Sequence, residues 1–344
     1  MSMPRDEHAP VRRAPETGGS SRIVEFDDNS LLTALFGDHD RFLARIEQKL
    51  GVALASRGNR VVITGDAATQ ATVERVLADL YGRLKRGQAV AQGDVDGAIR
   101  LAQGSPPPEN GIHPVVRTRK RDITARSPNQ AIYMRELERA HLVFGLGPAG
   151  TGKTYLAVAM GVAKLLNGEC DRIILSRPAV EAGERLGFLP GTLRDKIDPY
   201  LRPLYDALYD MLPADQVVKR LETGEIEVAP LAFMRGRTLA NAFVILDAAQ
   251  NPTPMQRKML LTRLGENARL VVTGDLTQID LPHGAASGLK EAVAILSGID
   301  GISFVYFSDV DVVRHPLVTR ILQAYDASDR AKAGAAAPER YGKG

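Results

Sequence analysis

Residues 147–154 restrict the possible folds of this chain more than any other segment does. They read Gly-Pro-Ala-Gly-Thr-Gly-Lys-Thr, a complete Walker A loop. An apolar run, 141–146, precedes the loop and a helix-forming stretch, 155–166, follows it, which is the strand–loop–helix context that such a loop needs. Its glycines let the backbone turn N–H groups towards phosphate oxygens where a larger residue would clash. The segment therefore predicts an α/β fold with a site for a nucleoside triphosphate.

The predicted nucleotide ligands are Gly147, Pro148, Ala149, Gly150, Thr151, Gly152, Lys153, Thr154 and Tyr155. Lys153 is expected to reach the β- and γ-phosphates, and the Thr154 hydroxyl is expected to bind Mg²⁺. The N-terminus of the following helix adds a dipole that favours a bound anion.

Composition constrains the number of domains, the cellular compartment and the partners that can be expected for this chain. With 344 residues, 44% of them hydrophobic, the chain can bury a large core and is expected to hold two domains. It has no apolar run long enough to span a bilayer, and residues 1–21 lack an apolar segment of signal-peptide type. The single cysteine, Cys170, excludes an internal disulfide and favours a reducing cytoplasm. The net charge of +3 is mild, so a nucleic-acid partner has to be argued from local clusters.

Composition shifts and periodicity predict five segments along the chain. Residues 1–21 and 327–344 have the composition of disordered tails. A small α/β domain is predicted at 22–86, a linker with one short helix at 87–128, and the ATPase domain at 129–326.

The order strand, helix, strand, strand, helix is predicted in the small domain at 23–26, 40–50, 52–55, 60–64 and 68–84. This order is the minimal arrangement of a KH-type RNA-binding module, which clamps the nucleic-acid backbone with a Gly-x-x-Gly loop. The nearest candidate, 37–40, reads Gly-Asp-His-Asp, so it lacks the second glycine and carries two acids. RNA contact and a small accessory domain used for assembly or protein contact are both open interpretations.

The basic cluster at 117–121 reads Arg-Thr-Arg-Lys-Arg and is the densest run of positive charge in the chain. Such a run is commonly a solvated linker. The alternative is a contact to a phosphate backbone, which would make binding sensitive to salt. We favour the backbone contact because of the motor-like residues that follow.

Three apolar segments after the loop have the pattern of buried parallel strands, at 172–176, 242–247 and 269–275. The second ends in Asp247, as a Walker B strand does, and this acid should bind Mg²⁺ through a water or hold Thr154. The third ends in Gly-Asp, and Asp275 and Gln278 are expected near the γ-phosphate, at the carboxyl ends of the strands. A lone acid after a strand is often only a helix N-cap, but three such strands in order make coincidence a poor explanation.

Taken together, these segments resemble the PhoH-like ATPases, whose core is similar to the first motor domain of superfamily 1 helicases. The segments that carry the resemblance are 147–159, 176–184, 186–191, 198–206, 261–266, 271–275 and 312–318. The resemblance spans about 22–325 and implies a RecA-like P-loop NTPase fold, a parallel sheet flanked by helices, preceded by a small KH-like α/β domain. It also implies that ATP with Mg²⁺ is used to bind or remodel RNA, as in rRNA processing or ribosome maturation. The implied partners are RNA, an RNA-processing or ribosome-associated protein, and further copies of the chain in an oligomer such as a ring.

The resemblance assigns roles to individual residues. Gln130 occupies the position of a helicase-type Q motif, whose carboxamide can bond the adenine edge; alone, it would be an ordinary helix-start residue. Gln278 matches the sensor of the γ-phosphate. Arg314 matches an arginine that stabilises charge on the phosphoryl group, in cis or across a subunit boundary, although a surface ion pair is an equal alternative. Residues 177–190 correspond to a region where related motors touch nucleic acid, and an interdomain loop is the other interpretation.

One departure from the family pattern bears on catalysis. Residues 247–250 read Asp-Ala-Ala-Gln where the family reads Asp-Glu-Ala-Gln, so Ala248 replaces the carboxylate that orients the attacking water. Losing a positioned base slows chemistry by about 10²–10⁴-fold. ATP binding should survive, and Glu181 or Glu184 is an alternative source of a carboxylate.

The expected catalytic residues are Lys153, Asp247, Gln278 and Arg314, and the expected metal ligands are Thr154 and Asp247. A nucleotide-gated RNA or protein clamp with little or no hydrolysis is the alternative function.

Overall fold

The computed structural model describes residues 21–104, 114–178, 193–250, 252–276 and 288–313, with 317–318, 320–321 and 324–325. The chain divides into two compact units, 1–103 and 104–344. In the described residues, no helix combines the length and the apolar character that a membrane crossing demands.

A three-stranded antiparallel sheet with helices forms the first unit. Its elements are β1 (Ser21–Glu25), α1 (Leu32–Phe36), α2 (Arg41–Leu50), β2 (Ala53–Arg57), β3 (Arg60–Thr64), α3 (Ala67–Lys85) and α4 (Gln92–Gly104), with 3₁₀ turns at Asn29–Leu31 and Asp38–Asp40. Strand β3 lies between β1 and β2. Gly58, at φ 60°, makes the tight turn between β2 and β3, and Asp66 caps α3 by accepting from two backbone N–H groups.

The segment predicted as linker, 87–128, is largely folded. Helix α4 places Val95, Ala98, Ile99 and Ala102 in the same hydrophobic cluster as the buried faces of α2, β3 and α3. These four residues have the spacing of one helix face, which explains why the predicted short helix packs against the core. The helix is also longer than the predicted range of 94–102 within the linker, since it spans Gln92–Gly104. The later part of the segment forms a small hairpin in the second unit.

The candidate Gly-x-x-Gly loop, 37–40, connects α1 to α2. His39 and Asp40 both have left-handed backbone angles, with φ of 54° and 57°. Asp38, His39 and Asp40 are exposed, and the two carboxylates disfavour a phosphate there. Helix α1, which precedes the loop, was not predicted from the sequence. RNA contact by this loop stays a prediction.

A six-stranded parallel sheet flanked by helices forms the second unit. Its elements are β4 (Val115–Arg117), β5 (Asp122–Thr124), α5 (Pro128–Arg139), β6 (Leu142–Leu146), α6 (Lys153–Leu166), β7 (Arg172–Arg177), α7 (Leu193–Met211), α8 (Ala214–Thr223), β8 (Ile226–Pro230), β9 (Ala242–Leu246), α9 (Pro254–Leu261), β10 (Arg269–Gly274), α10 (Gly288–Leu296) and β11 (Ile302–Tyr306). Strands β4 and β5 pair as a separate antiparallel hairpin, and 3₁₀ turns lie at Leu231–Met234 and Asp309–Asp311.

The order of the large sheet, β11-β6-β10-β9-β7-β8, brings the predicted motifs together. Every pairing in it is parallel, so the carboxyl ends of all six strands lie at one edge. Strand β10 lies between β6, which leads into the Walker A loop, and β9, which leads into Asp247. The α/β fold class with a parallel sheet, predicted from the apolar strands, is confirmed.

Cys170 precedes β7 and is buried, with only 7% of its surface exposed. Burial raises the pKa of its thiol to about 11. The neutral thiol is therefore the form present near neutral pH.

Candidate nucleotide-binding site

A cavity of about 700 Å³ opens at the carboxyl edge of the parallel sheet. Its walls come from the Walker A loop and the start of α6, from the ends of β7, β9 and β10, and from one side of α7. This is the place where open parallel α/β sheets bind ligands. The cavity therefore lies where the sequence predicts the triphosphate.

The Walker A loop has a conformation that requires its glycines. Gly147, Gly150 and Gly152 have φ of 143°, 82° and 82°, angles that other residues adopt with strain. A Cβ added to Gly147 would lie 2.4 Å from the backbone oxygen of Phe307. The Gly147 N–H donates to the Gly274 carbonyl at 3.0 Å, which ties the loop to β10. The backbone thus forms a narrow cradle of the kind that phosphate groups fit.

Lys153 is the first residue of α6, and its ammonium lies inside the loop. Its Nζ donates to the carbonyl oxygens of Gly147 and Pro148, both at 2.7 Å, and to the Thr151 hydroxyl at 3.1 Å. Burial lowers the pKa of Lys153, and the negative charges of Asp275 and Asp247 oppose that effect. The Lys153 ammonium is therefore held inside the loop, where the phosphate oxygens of a bound nucleotide would replace the carbonyl oxygens as its partners.

The two predicted metal ligands are in direct contact. The Thr154 hydroxyl donates to Asp247 Oδ1 at 2.5 Å, and the Thr273 hydroxyl donates to the same oxygen at 2.6 Å. Arg177 Nε lies 3.8 Å from the other carboxylate oxygen of Asp247. The described part of the chain contains no cluster of three metal-binding side chains. The residues present fit Mg²⁺ bound as it is in nucleotide sites, where phosphate oxygens and water complete the coordination.

Gln130 is buried and contacts the Walker A loop. Its Nε2 donates to the Thr151 carbonyl at 2.9 Å, and its Oε1 accepts from the Arg126 N–H at 2.7 Å. The hydroxyl of Ser127, the cap of α5, accepts from the Gln130 N–H at 3.2 Å. Only 4% of the residue is exposed. These contacts support the loop, whereas adenine recognition by this amide stays a prediction of the resemblance.

Gln130→Leu distinguishes these two roles. The change leaves buried polar groups unpaired at a cost of about 1–3 kcal/mol, so we expect a lower melting temperature and a weakened loop. If the amide supports the loop, binding of ATP and GTP, measured by calorimetry, falls by the same factor. A loss confined to ATP would instead show that the amide reads adenine. Gln103→Leu, at an exposed position of α4, is the matched control.

Ala248 lines the cavity immediately after Asp247. Its φ is 55°, a left-handed angle that costs a non-glycine residue about 1–2 kcal/mol. Its methyl group can neither accept a proton nor hold a water. The position at which the resemblance implies a carboxylate therefore lines the cavity without one.

Helix α7 supplies a wall of the cavity that no sequence motif predicted. Asp206 and Asp210 are spaced i, i+4 on the cavity side of this helix. Asp210 accepts from the Tyr155 hydroxyl at 2.8 Å, and Arg121 Nη2 lies 2.8 Å from its other oxygen. Burial and the bond to Asp210 raise the pKa of Tyr155 to about 12, so its hydroxyl remains a donor. The i, i+4 spacing of the acids was visible in the sequence, but their distance from the Walker A loop along the chain concealed the contact.

The basic cluster at 117–121 divides into two parts. Lys120 Nζ donates to the Tyr209 carbonyl at 2.7 Å, and Arg121 pairs with Asp210, so these two cations attach the hairpin to α7. Arg117 and Arg119 are exposed. Only part of the cluster is therefore available to an external phosphate backbone.

Four predicted residues lie outside the described part of the chain. These are Gln278, Arg314, Glu181 and Glu184, and most of the segment 177–190 lies there with them. Asp275 is described, lines the cavity and is 5% exposed. The structure thus brings together Lys153, Thr154, Asp247 and Asp275.

Comparison with known proteins gives extended similarity to one family, described as PhoH-like protein, which matches residues 122–326. A PhoH-like protein of Bacillus subtilis is 48% identical over 302 residues, covering 85% of this chain and 93% of that protein. A PhoH-like protein of Mycobacterium tuberculosis is 50% identical over 298 residues, covering 86% of this chain and 85% of that protein. Protein PhoH of Escherichia coli is 47% identical over 205 residues, which is 59% of this chain and 58% of that protein. The two longer matches exceed the length of the second unit, so the similarity includes part of the first unit.

Proposed function

The chain belongs to the PhoH-like protein family. We propose that it binds ATP with Mg²⁺ and couples ATP binding to the binding or remodelling of RNA. The contact between the Thr154 hydroxyl and the Asp247 carboxylate, beside the Lys153 ammonium, is the observation that carries this proposal. It joins the three groups that P-loop NTPases use for Mg²⁺ and the β- and γ-phosphates. Bound Mg²⁺ would neutralise charge that develops on the phosphates during hydrolysis. A cytoplasmic location remains an expectation from cysteine usage.

Hydrolysis is expected to be slow. Ala248 removes a water-orienting carboxylate, whereas the groups that hold the phosphates are retained. The direct test measures ATP affinity by calorimetry and phosphate release by a coupled assay, each with and without single-stranded RNA. Tight Mg²⁺-dependent binding of ATP with slow, RNA-stimulated release supports the proposal. The absence of any nucleotide binding contradicts it.

The hairpin of β4 and β5 is the proposed RNA contact in the second unit. It carries the exposed Arg117 and Arg119, and its other cations attach it to α7, which lines the cavity. RNA phosphates at this hairpin would therefore lie close to the nucleotide. Contacts between arginines and RNA phosphates make RNA binding depend on salt concentration.

Replacing Arg117 and Arg119 by Gln is expected to weaken RNA binding and to reduce its salt dependence. For two lost phosphate contacts on a single strand, the slope of log K against log salt should fall by about 1.4. Fluorescence anisotropy over a salt series measures both quantities. The double change Arg172→Gln and Lys219→Gln removes the same charge from exposed positions outside the hairpin. An equal loss in that control would refute a role specific to the hairpin.

The setting of the activity is proposed from the family resemblance: rRNA processing or ribosome maturation, with a protein partner. An oligomer, in which Arg314 would act across a subunit boundary, is proposed on the same basis. Sedimentation with and without ATP·Mg²⁺ tests it, and a monomer under both conditions contradicts a ring.

A clamp that is gated by ATP, with no useful hydrolysis, is the second candidate function. Ala248 is the observation that favours it. ATP-dependent RNA affinity without phosphate release would select the clamp over the ATPase.

A further inference from the structure

The cavity contains carboxylates that could perform the task of the missing glutamate. Among the described residues, four aspartates line it: Asp206, Asp210, Asp247 and Asp275. The inference drawn from them rests on the proposed ATPase function. It identifies the group that orients the attacking water in a chain with Ala248.

Two of the four aspartates already have other tasks. Asp247 accepts from Thr154 and Thr273 and is the expected metal ligand. Asp210 accepts from Tyr155 and pairs with Arg121. Both oxygens of Asp210 therefore already have a partner.

Asp206 is poorly placed for orienting a water. It lies on α7 and is exposed. A carboxylate in contact with bulk solvent does not exclude competing waters from its neighbourhood, and catalytic groups act best where their geometry is fixed in advance.

Asp275 has a fixed position beside the Walker A loop. It follows β10, and the residue before it accepts from the Gly147 N–H at 3.0 Å. On the other side, the Asp275 N–H donates to Gln250 Oε1 at 3.3 Å, so the backbone is held between the first residue of the Walker A loop and the segment after Asp247. Asp275 is also 5% exposed. Its position is therefore set by both nucleotide motifs.

Asp275 also lies on the wall of the cavity, next to the loop that holds Lys153. The Lys153 ammonium inside that loop is the group expected at the β- and γ-phosphates. A water held by Asp275 would therefore lie beside the phosphate-binding loop.

We propose that Asp275 orients the attacking water in place of the glutamate that Ala248 has removed. The water oxygen forms a bond to the γ-phosphorus while the bond from phosphorus to the bridging oxygen breaks. ADP leaves with that electron pair, and the proton of the water passes to the Asp275 carboxylate and then to solvent. No reagent other than ATP and water is consumed.

Asp275→Asn is the first test, with single-turnover phosphate release as the readout. The amide keeps the shape of the side chain but cannot take a proton, so we expect release to fall by about 10²-fold or more. ATP affinity and the melting temperature are measured in parallel and should change little. Asp171→Asn, at an exposed position next to the opposite end of β7, is the matched control.

Ala248→Glu in the Asp275→Asn background separates a catalytic residue from a structural one. If Asp275 acts on the water, the new glutamate restores release by at least tenfold. If Asp275 only supports the loop, the double variant remains inactive, and this result overturns the proposal. The proposal is also overturned if Asp275→Asn releases phosphate as fast as the unmodified chain. It is likewise overturned if phosphate release is lost on Asp206→Asn, Glu181→Gln or Glu184→Gln and not on Asp275→Asn.

The result also distinguishes the inference from the function on which it rests. If the unmodified chain hydrolyses ATP and Asp275→Asn does so equally fast, the ATPase function stands and the inference fails. If the unmodified chain binds ATP but releases no phosphate, the inference fails and the clamp is selected. If it binds no ATP, both fail.

Discussion

We expect Ala248→Glu to increase the rate of phosphate release at least tenfold. A well-positioned general base can increase the rate by about 10²–10⁴-fold. Residue 248 lines the cavity next to Asp247, the expected Mg²⁺ ligand. Glutamate should add no backbone strain, because alanine already places a Cβ on the left-handed backbone at φ 55°. The new carboxylate would act together with the slower water activation assigned to Asp275.

The measurement is steady-state phosphate release with and without RNA, compared with Ala248→Gln. Glutamine has the size of glutamate but is a far weaker proton acceptor, so it should leave the rate close to that of the unmodified chain. An equal rate for the alanine and glutamate forms would show that position 248 is not where the water is activated. If neither form releases phosphate while both bind ATP, the clamp function is favoured.

Lys153→Ala should reduce ATP turnover by about 10²–10³-fold and weaken ATP binding. The ammonium is the cation held inside the Walker A loop, and removing one group that stabilises the transition state has an effect of this size. Its partners are two backbone carbonyl oxygens and the Thr151 hydroxyl, all of which water can satisfy, so the fold should persist. Calorimetry, phosphate release and thermal melting measure the three quantities.

Lys219→Ala removes the same charge from an exposed position of α8 and should behave like the unmodified chain. Retention of full ATP affinity by Lys153→Ala would mean that the phosphates lie elsewhere. Loss of the thermal transition would mean that Lys153 is needed for folding, in which case Lys153→Met, which keeps the aliphatic stem, replaces it.

The sequence predicted the phosphate side of the site because that side depends on local pattern and on one rule of topology. A Walker A motif fixes its own loop, and parallel strands bring their carboxyl ends to one edge. Asp247 and Asp275 therefore had to lie near Lys153 once their strands were recognised. The expected contact between Thr154 and Asp247 is present.

Other parts of the site depend on tertiary contacts that local pattern does not encode. Whether Gln130 faces a ligand or the Thr151 carbonyl is decided by the packing of α5 against the loop. The attachment of Arg121 to Asp210 joins residues far apart in the chain, so a run of basic residues gave no sign of which would be paired. The length of helix α4 was underestimated because Gly, Asp and Gln residues interrupt the apolar pattern of its sequence.

The buried thiol of Cys170 makes the chain convenient for optical measurements. Thiol-reactive dyes attack the thiolate, and burial with a pKa of about 11 keeps this residue protonated and inaccessible in the folded state. A second cysteine introduced at an exposed position, such as Arg119 of the hairpin, would then take the dye selectively without removal of the native one. Fluorescence from that single probe can report whether the hairpin responds to nucleotide in the full chain.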